Sequence, residues 1–318
     1  MKRALLVGID DYDDMKRLDG CVNDVNALLP LLSRNEDNSP NFNCQARTSA
    51  ADRVDRRNLL EAIDALLAPG ADVALLYFAG HGAEVENDVV LVTQDGRDHD
   101  LGVSLSNVLA KVQASPVREV LIILDCCFSG GAGGVPQIGG NVAALRSGVS
   151  ILSASRADQT AAETAEGRGV FSTYLCGALE GGAADVLGKV TMAGVYAYLS
   201  ESFGPWAGQR PTFKANVDRL HELRLCSTAV PLADLRRLSQ IFPKPDAELP
   251  LDSSYEPEAE PKHPEHQAIF LFLQQCRAAK LVEPVGAEHM YFAAMQNARC
   301  RLTPLGRLYW WMAHEERL

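Results

Sequence analysis

Long apolar runs are missing from this chain. None of its 318 residues sits in an uninterrupted apolar stretch of 18, whereas a helix crossing a hydrocarbon layer needs about 20 predominantly apolar residues. The first ten, MKRALLVGID, hold too short an apolar segment for a secretory leader and run straight into acids. Neither a signal peptide nor a membrane span is therefore expected, and the cytoplasm is the expected compartment. A basic excess is missing too: 41 acids against 30 Lys and Arg leave a net charge of −11, which argues against a nucleic-acid footprint and favours basic partners or substrates. Cysteine occurs eight times, at 21, 44, 126, 127, 176, 226, 276 and 300. This is neither the dense spacing of a secreted disulfide scaffold nor a zinc knuckle, and it fits reduced thiols. No G-x-G-x-x-G opens a helix after the first apolar segment, so a nucleotide-binding fold is disfavoured.

What is present is organised around residues 119–131, EVLIILDCCFSGG. The run Val120, Leu121, Ile122, Ile123, Leu124 lacks period-2 alternation, as expected of a parallel strand covered on both faces. It ends in an acid, two thiols, an aromatic, a hydroxyl and glycines, at the carboxyl end where open α/β sheets bind ligands. Residues 73–82, VALLYFAGHG, have the same construction and end with His81 between Gly80 and Gly82. Alone, such a His is more often structural and a buried Cys more often a small hydrophobe. Together, at the ends of two buried strands, they are the parts of a thiol nucleophile and its base.

These words carry a resemblance. His81 lies 46 residues before Cys127, close to the His-to-Cys separation of caspases. AGHG and DCCFSG resemble the YSGHG and D-x-C-x-S-G words of metacaspases and their bacterial relatives. DQTAAE resembles D-Q-T-S-A-D, and GVFSTYLCGAL resembles the G-x-F-T helix. The likeness covers roughly the first 217 residues. It implies a caspase-like α/β sandwich with a mostly parallel central sheet flanked by helices. It also implies a cysteine endopeptidase with Cys127 as nucleophile, His81 as base, and the N–H groups of Gly82 and Cys127 as oxyanion donors. Cys126, one position away and on the other face by strand alternation, reads as packing.

The same resemblance assigns Asp125 to the pocket for the substrate side chain before the scissile bond, which selects Arg or Lys. GCVNDV carries Cys21 and Asp24 to that pocket, and two carboxylates there suit a guanidinium or ammonium. Ala79 stands where many metacaspases have Ser, which leaves the choice between Arg and Lys open. Calcium activates some members, and Asp95, Asp98 and Asp100 are hard oxygen donors. Residues 134–148 hold no acid to complete such a site, so no metal or other cofactor is expected. Bacterial relatives often act in defence, antiviral systems included, or in regulated cell death. A zymogen opened at Arg146, by itself or by an upstream protease, is therefore an expectation, as is a regulatory protein partner. The alternative is a catalytically weak caspase-like scaffold that signals through a C-terminal module.

In chain order, strands are expected at residues 3–9, Phe42–Thr48, 72–78, 89–93, 119–124, 148–153 and 211–216. Helices are expected at 20–32, 54–67, 104–114, 170–179 and 190–202, with Ser104 as a cap. The acids after residue 93 read as a surface loop, Asn87-Asp88 as a hairpin turn, and the Gly-rich stretch 130–148 as a mobile loop. The expected domains are 1–225, a peptidase domain; 226–265, a helical connector and exposed Pro/Glu-rich linker; and 266–318, a winged-helix-like module. Lys244 and Lys262 in the linker are further cleavage candidates. Thr303-Pro304 starts the last helix.

Overall fold

In a computed structural model, residues 1–85, 88–97, 100–128, 145–154, 167–204 and 210–318 are described, with backbone only at 127 and 128. The Asn87 turn, Asp98, the glycine-rich stretch up to residue 144 and the DQTAAE word lie outside the described residues. The chain divides into two units, Met1–Ala184 with Lys189–Cys226, and Asp185–Gly188 with Ser227–Leu318.

The first unit runs β1 (Lys2–Gly8), α1 (Cys21–Ser33), β2 (Phe42–Thr48), α2 (Arg56–Leu67), β3 (Val73–Val85), β4 (Asp88–Arg97), β5 (Asp100–Ser104), α3 (Leu105–Ala114) and β6 (Glu119–Phe128). It continues with β7 (Val149–Ser153), α4 (Val170–Gly177), a π turn at Ala178–Gly182, β8 (Lys189–Thr191), α5 (Met192–Phe203), β9 (Thr212–Asn216) and β10 (Glu222–Leu225). One sheet has the order β2-β1-β3-β6-β7-β9. Its first five strands are parallel and β9 is antiparallel to β7.

Alternate residues of the central strands feed two cores. Ala74, Leu76, Phe78, Val120, Ile122, Leu124 and Cys126 pack with Leu59 and Ile63 of α2 and Val108 and Val112 of α3. Val73, Leu75, Tyr77, Leu121 and Ile123 pack with Val25 and Leu28 of α1, Phe171 of α4 and Leu199 of α5. Because both faces are covered, the strands read as unbroken apolar runs. Truncating any one of these Leu or Ile side chains to Ala costs about 2–5 kcal/mol.

Three helix starts carry their own caps: Asp55 accepts from Asn58 N at 2.8 Å, Ser104 from Asn107 N and Thr191 from Gly194 N, both at 3.2 Å. At α1 the preceding Gly20 has no side chain to offer. Asp10 supplies the cap from β1's end, with Oδ1 taking Cys21 N at 2.8 Å and Oδ2 taking Val22 N at 3.3 Å. Such a carboxylate satisfies two orphan helix donors and meets the positive end of the helix dipole.

Three expectations are corrected here. The acid-rich loop after residue 93 is instead the β4–β5 hairpin, built by antiparallel pairs such as Leu91 with Val103. The strand ending at residue 78 continues to Val85, with His81 inside it. Arg146 is not on a loose loop tip: its guanidinium donates to the carbonyls of Val112, Val117 and Ser147 at 2.9, 2.6 and 2.9 Å.

The second unit holds α6 (Leu232–Leu235), α7 (Leu238–Ile241), β11 (Glu248–Pro250), α8 (Pro264–Ala278), β12 (Val282–Val285), α9 (Met290–Met295), β13 (Arg299–Leu302) and α10 (Pro304–His314). Its antiparallel sheet has the order β11-β13-β12. The exposed linker is the fourth correction. Its residues supply β11, and Phe242, Leu251 and Tyr255 lie in the unit's core with Phe270, Leu273 and Trp310. Trp310 Nε1 donates to Phe242 O at 2.7 Å, so a buried indole has its partner. Thr303 caps α10 by accepting from Gly306 N at 3.0 Å.

Candidate active site

His81 sits where the flank of β3 changes hands. On that side β1 stops at Gly8, paired with Ala79, and β4 begins pairing at Gly82. At the gap between them the N–H of His81 donates to the hydroxyl of Tyr12 at 2.8 Å. A Cβ on Gly80 would stand 2.7 Å from that hydroxyl, which is why the position is glycine. The Tyr12 ring lies 4.7 Å from the imidazole, centroid to centroid, at 49°. His81 Nε2 is 2.6 Å from Lys16 O. A carbonyl only accepts, so Nε2 carries the proton, and the neutral ring keeps its lone pair on Nδ1.

The loop that provides both contacts, residues 10–19, is tied down at several points. Leu18 N bonds Asp10 O and Asp13 N bonds Gln94 O, both at 2.9 Å, while Asp14 pairs with Arg97 at 3.1 Å. Arg53 clasps Asp13 with two guanidinium nitrogens.

On the other side of β3 the register partner of His81 is Cys127, at the end of β6. Cys126 is buried in the first core. Gly82 pairs with Leu91 on one flank and Phe128 on the other.

Asp125, two residues before Cys127, pairs in register with Ala79. Its carboxylate accepts from Ser172 of α4, and the Tyr77 hydroxyl, 2.7 Å from Ser172 Oγ and 3.3 Å from Asp125 Oδ2, completes the network. Tyr77 and Ser172 are wholly buried. Burial pushes the Asp125 carboxyl up to about 6, against the pull of those two hydroxyls.

Asp24 comes from the first turn of α1 and is 2% exposed. The backbone N–H of Gly169, just before α4, donates to its two oxygens at 3.3 and 3.2 Å. Arg168 Nε lies 3.5 Å from Oδ1. Burial, then the charge of Asp125, push Asp24 up to about 7, with Gly169 N–H and Arg168 opposing. The two acids converge, since a Cβ on Gly169 would be 3.1 Å from Asp24 Oδ2 and 3.2 Å from Asp125 Oδ2. The Cys21 thiol is raised by burial and by the carboxylates of Asp10, Asp125 and Asp24. Cys21, Asp24 and Asp125 thus form one buried acidic cluster, with Ala79 as the register partner of Asp125.

Elsewhere, Asp95 Oδ1 accepts from Arg56 N at 3.0 Å and from Thr93 Oγ1 at 2.7 Å, and Asp100 pairs with Arg56 Nε at 3.3 Å. Among the described residues no cluster of metal-ligating side chains forms, and no helix is long and apolar enough to cross a membrane.

Sequence reasoning missed Tyr12, Lys16, Asp10, Tyr77, Ser172 and Gly169 as site residues. Ser172 and Gly169 stood inside the GVFSTYL neighbourhood. Tyr12 and Lys16 stood in a polar loop with no signal, because one acts by a single hydroxyl and the other by its backbone.

A mostly parallel sheet flanked by helices thus sets a histidine inside one strand in register with a cysteine near the end of the next, the residue types of a thiol nucleophile and its base. Residues 1–216 match the peptidase C14 caspase-domain model, so the chain belongs to that family of cysteine-type peptidases. It is similar to a metacaspase-1 of Plasmodium falciparum, 31% identical over 156 residues, covering 41% of this chain and 24% of that protein. A metacaspase-1 of Eremothecium gossypii is 30% identical over 156 residues, covering 43% and 34%. The match thus spans only a quarter to a third of the length of these curated relatives. Among solved structures, a Geobacter sulfurreducens protein aligns with TM-score 0.54 and 16% identity, covering 71% of this chain and 99% of that one. Caspase-1 of Spodoptera frugiperda aligns with 0.51 and 15%, covering 71% and 90%. These two likenesses concern the fold.

Proposed function

We propose that this peptidase cleaves protein substrates after Arg or Lys through a Cys127–His81 dyad. The observation that supports it most is the register pairing of His81 with Cys127 near the acidic cluster of Asp24 and Asp125, which this reading takes as the substrate recess. In this reading His81 Nδ1 takes the thiol proton, and the Cys127 thiolate adds to the scissile carbonyl carbon. The N–H groups of Gly82 and Cys127 stabilise the oxyanion. Collapse of the tetrahedral adduct breaks the C–N bond, the leaving amine takes the proton from the imidazolium, and water then hydrolyses the thioester with His81 as base.

Two buried carboxylates select a guanidinium or ammonium by charge-assisted hydrogen bonds. A panel of fluorogenic peptides varied only before the scissile bond tests the reading. Turnover confined to Arg and Lys peptides supports it, and turnover after Asp or after apolar residues overturns it. A cytoplasmic enzyme of this kind requires restraint, and a defence or regulated-death role, with a regulatory partner or an activating protease, is part of the proposal. Cleavage at Arg146 would first have to release its guanidinium from the carbonyls of Val112, Val117, Arg118 and Ser147.

A further inference from the structure

Arg168 stands beside Asp24 of the acidic cluster, one residue before Gly169. Its side chain is 25% exposed, and the carboxylate it faces belongs to a side chain only 3% exposed. One terminal nitrogen donates to Cys176 Sγ at 3.1 Å. The Nε, 3.5 Å from Asp24 Oδ1, is buried and makes no hydrogen bond. A guanidinium that served only to neutralise a buried acid would be expected in a two-pronged pair at about 2.8 Å. Here the contact is long and single, and the better hydrogen bonds to Asp24 come from the Gly169 backbone.

We propose that Arg168 is the resident cation of the recess: it neutralises Asp24 in the empty enzyme, yields that carboxylate to the substrate's basic side chain, and so sets how strongly such side chains are selected. This rests on the reading of the recess as a pocket for Arg or Lys. Two carboxylates facing one buried point repel each other, and an internal cation offsets part of that cost. A substrate cation gains only the difference between its own pairing with Asp24 and the pairing it displaces.

Among the described residues the groups that face Asp24 are Asp125 from β6, Tyr77 from β3, Cys21 on its own helix, Cys176 from α4 and Arg168 just before it. Of these, Arg168 is the cation. Removing it sends the Asp24 pKa further up, so the carboxyl becomes neutral near pH 7 instead of remaining a buried unpaired charge. That protonation lets the variant fold. It also predicts that tighter binding emerges only at higher pH, where Asp24 ionises again.

The test compares wild type with R168M, which keeps a long stem without charge, and with R168K. KM and kcat for an Arg peptide are measured at pH 6 and pH 8.5. The expected result is a KM about tenfold lower for R168M at pH 8.5, equivalent to about 1.4 kcal/mol. Little change is expected at pH 6, kcat should stay within about twofold, and R168K should lie near wild type. Calorimetric binding of agmatine to C127A and C127A/R168M provides a reading that needs no turnover, and R168Q replaces R168M if the latter is unstable. If KM rises or stays put at both pH values, and agmatine binds no tighter, Arg168 is structural and the inference is overturned. If the wild type turns over no Arg or Lys peptide, the pocket reading has failed and this inference falls with it.

Discussion

The hydroxyl of Tyr12 accepts the backbone N–H of His81 at 2.8 Å, at the gap where β3 passes from β1 to β4. A strand residue at such a handover has lost one neighbour and not yet gained the next. The hydroxyl fills the vacancy, and the Lys16 carbonyl fixes the far side of the ring.

Tyr12→Phe keeps the ring against the imidazole but leaves that N–H without its acceptor, at a cost of about 1–3 kcal/mol. A kcat lowered by roughly tenfold with KM unchanged is expected, because the substrate recess is untouched. Gly80→Ala should act in the same direction by pushing the hydroxyl away. Steady-state kinetics on one Arg peptide decides the point, and two variants at full kcat would free Tyr12 of any positioning role.

Cys127→Ala is expected to abolish turnover, by on the order of a thousandfold or more, since it removes the proposed nucleophile. Cys126→Ala removes a buried side chain from the first core and should cost about 1 kcal/mol of stability while most activity remains. Activity and thermal melting measured on the same preparations separate the two. Equal inactivation of folded enzyme by both substitutions would sink the assignment of the thiol.

Asp125→Asn leaves an amide among Ser172 and Tyr77, close in shape and without charge. Cleavage after Arg should weaken by roughly 10² or more, as a buried cation then lacks one countercharge. Melting should match wild type at pH 4, where the carboxyl is protonated, and should rise above wild type beyond about pH 6, where wild type buries the charge. An Arg peptide turned over at the wild-type rate would remove Asp125 from specificity.

Much of this was legible because the apolar runs of β3 and β6 are covered on both faces, and the residues at their ends differ so sharply from the runs themselves. The strand His81 occupies was read too short because glycine and histidine look like a turn, yet the ladder to β6 carries through Gly82. The acids after residue 93 read as a loop, but glycines at 96 and 102 allow the close β4–β5 approach, and a Cβ at Gly102 would lie 2.2 Å from Leu91 O. The Pro/Glu-rich segment hid Leu251 and Tyr255, two buried anchors too widely spaced to make a period. The α1 cap was invisible for another reason: Asp10 lies ten residues before Gly20 and reaches the helix only through the fold.

The recess should betray itself in its pH dependence. Asp24 and Asp125 are raised to about 7 and about 6 in the folded chain, chiefly by burial, against an unfolded value near 3.9. Between roughly pH 4 and 7 the folded state therefore holds more protons than the unfolded one, and stability falls as pH rises through that window. Binding of a basic side chain moves the opposite way, because the recess gains negative charge as the same protons leave. Wild type should thus lose melting temperature relative to the Asp24→Asn variant as pH goes from 4 to 8, while its KM for an Arg peptide falls. In Asp24→Asn the remaining dependence should centre near the Asp125 value. Parallel melting curves for the two proteins across that range, or a wild-type KM that does not change with pH, would show that the carboxyls are already ionised at pH 4 and that burial does not control the charge of the pocket.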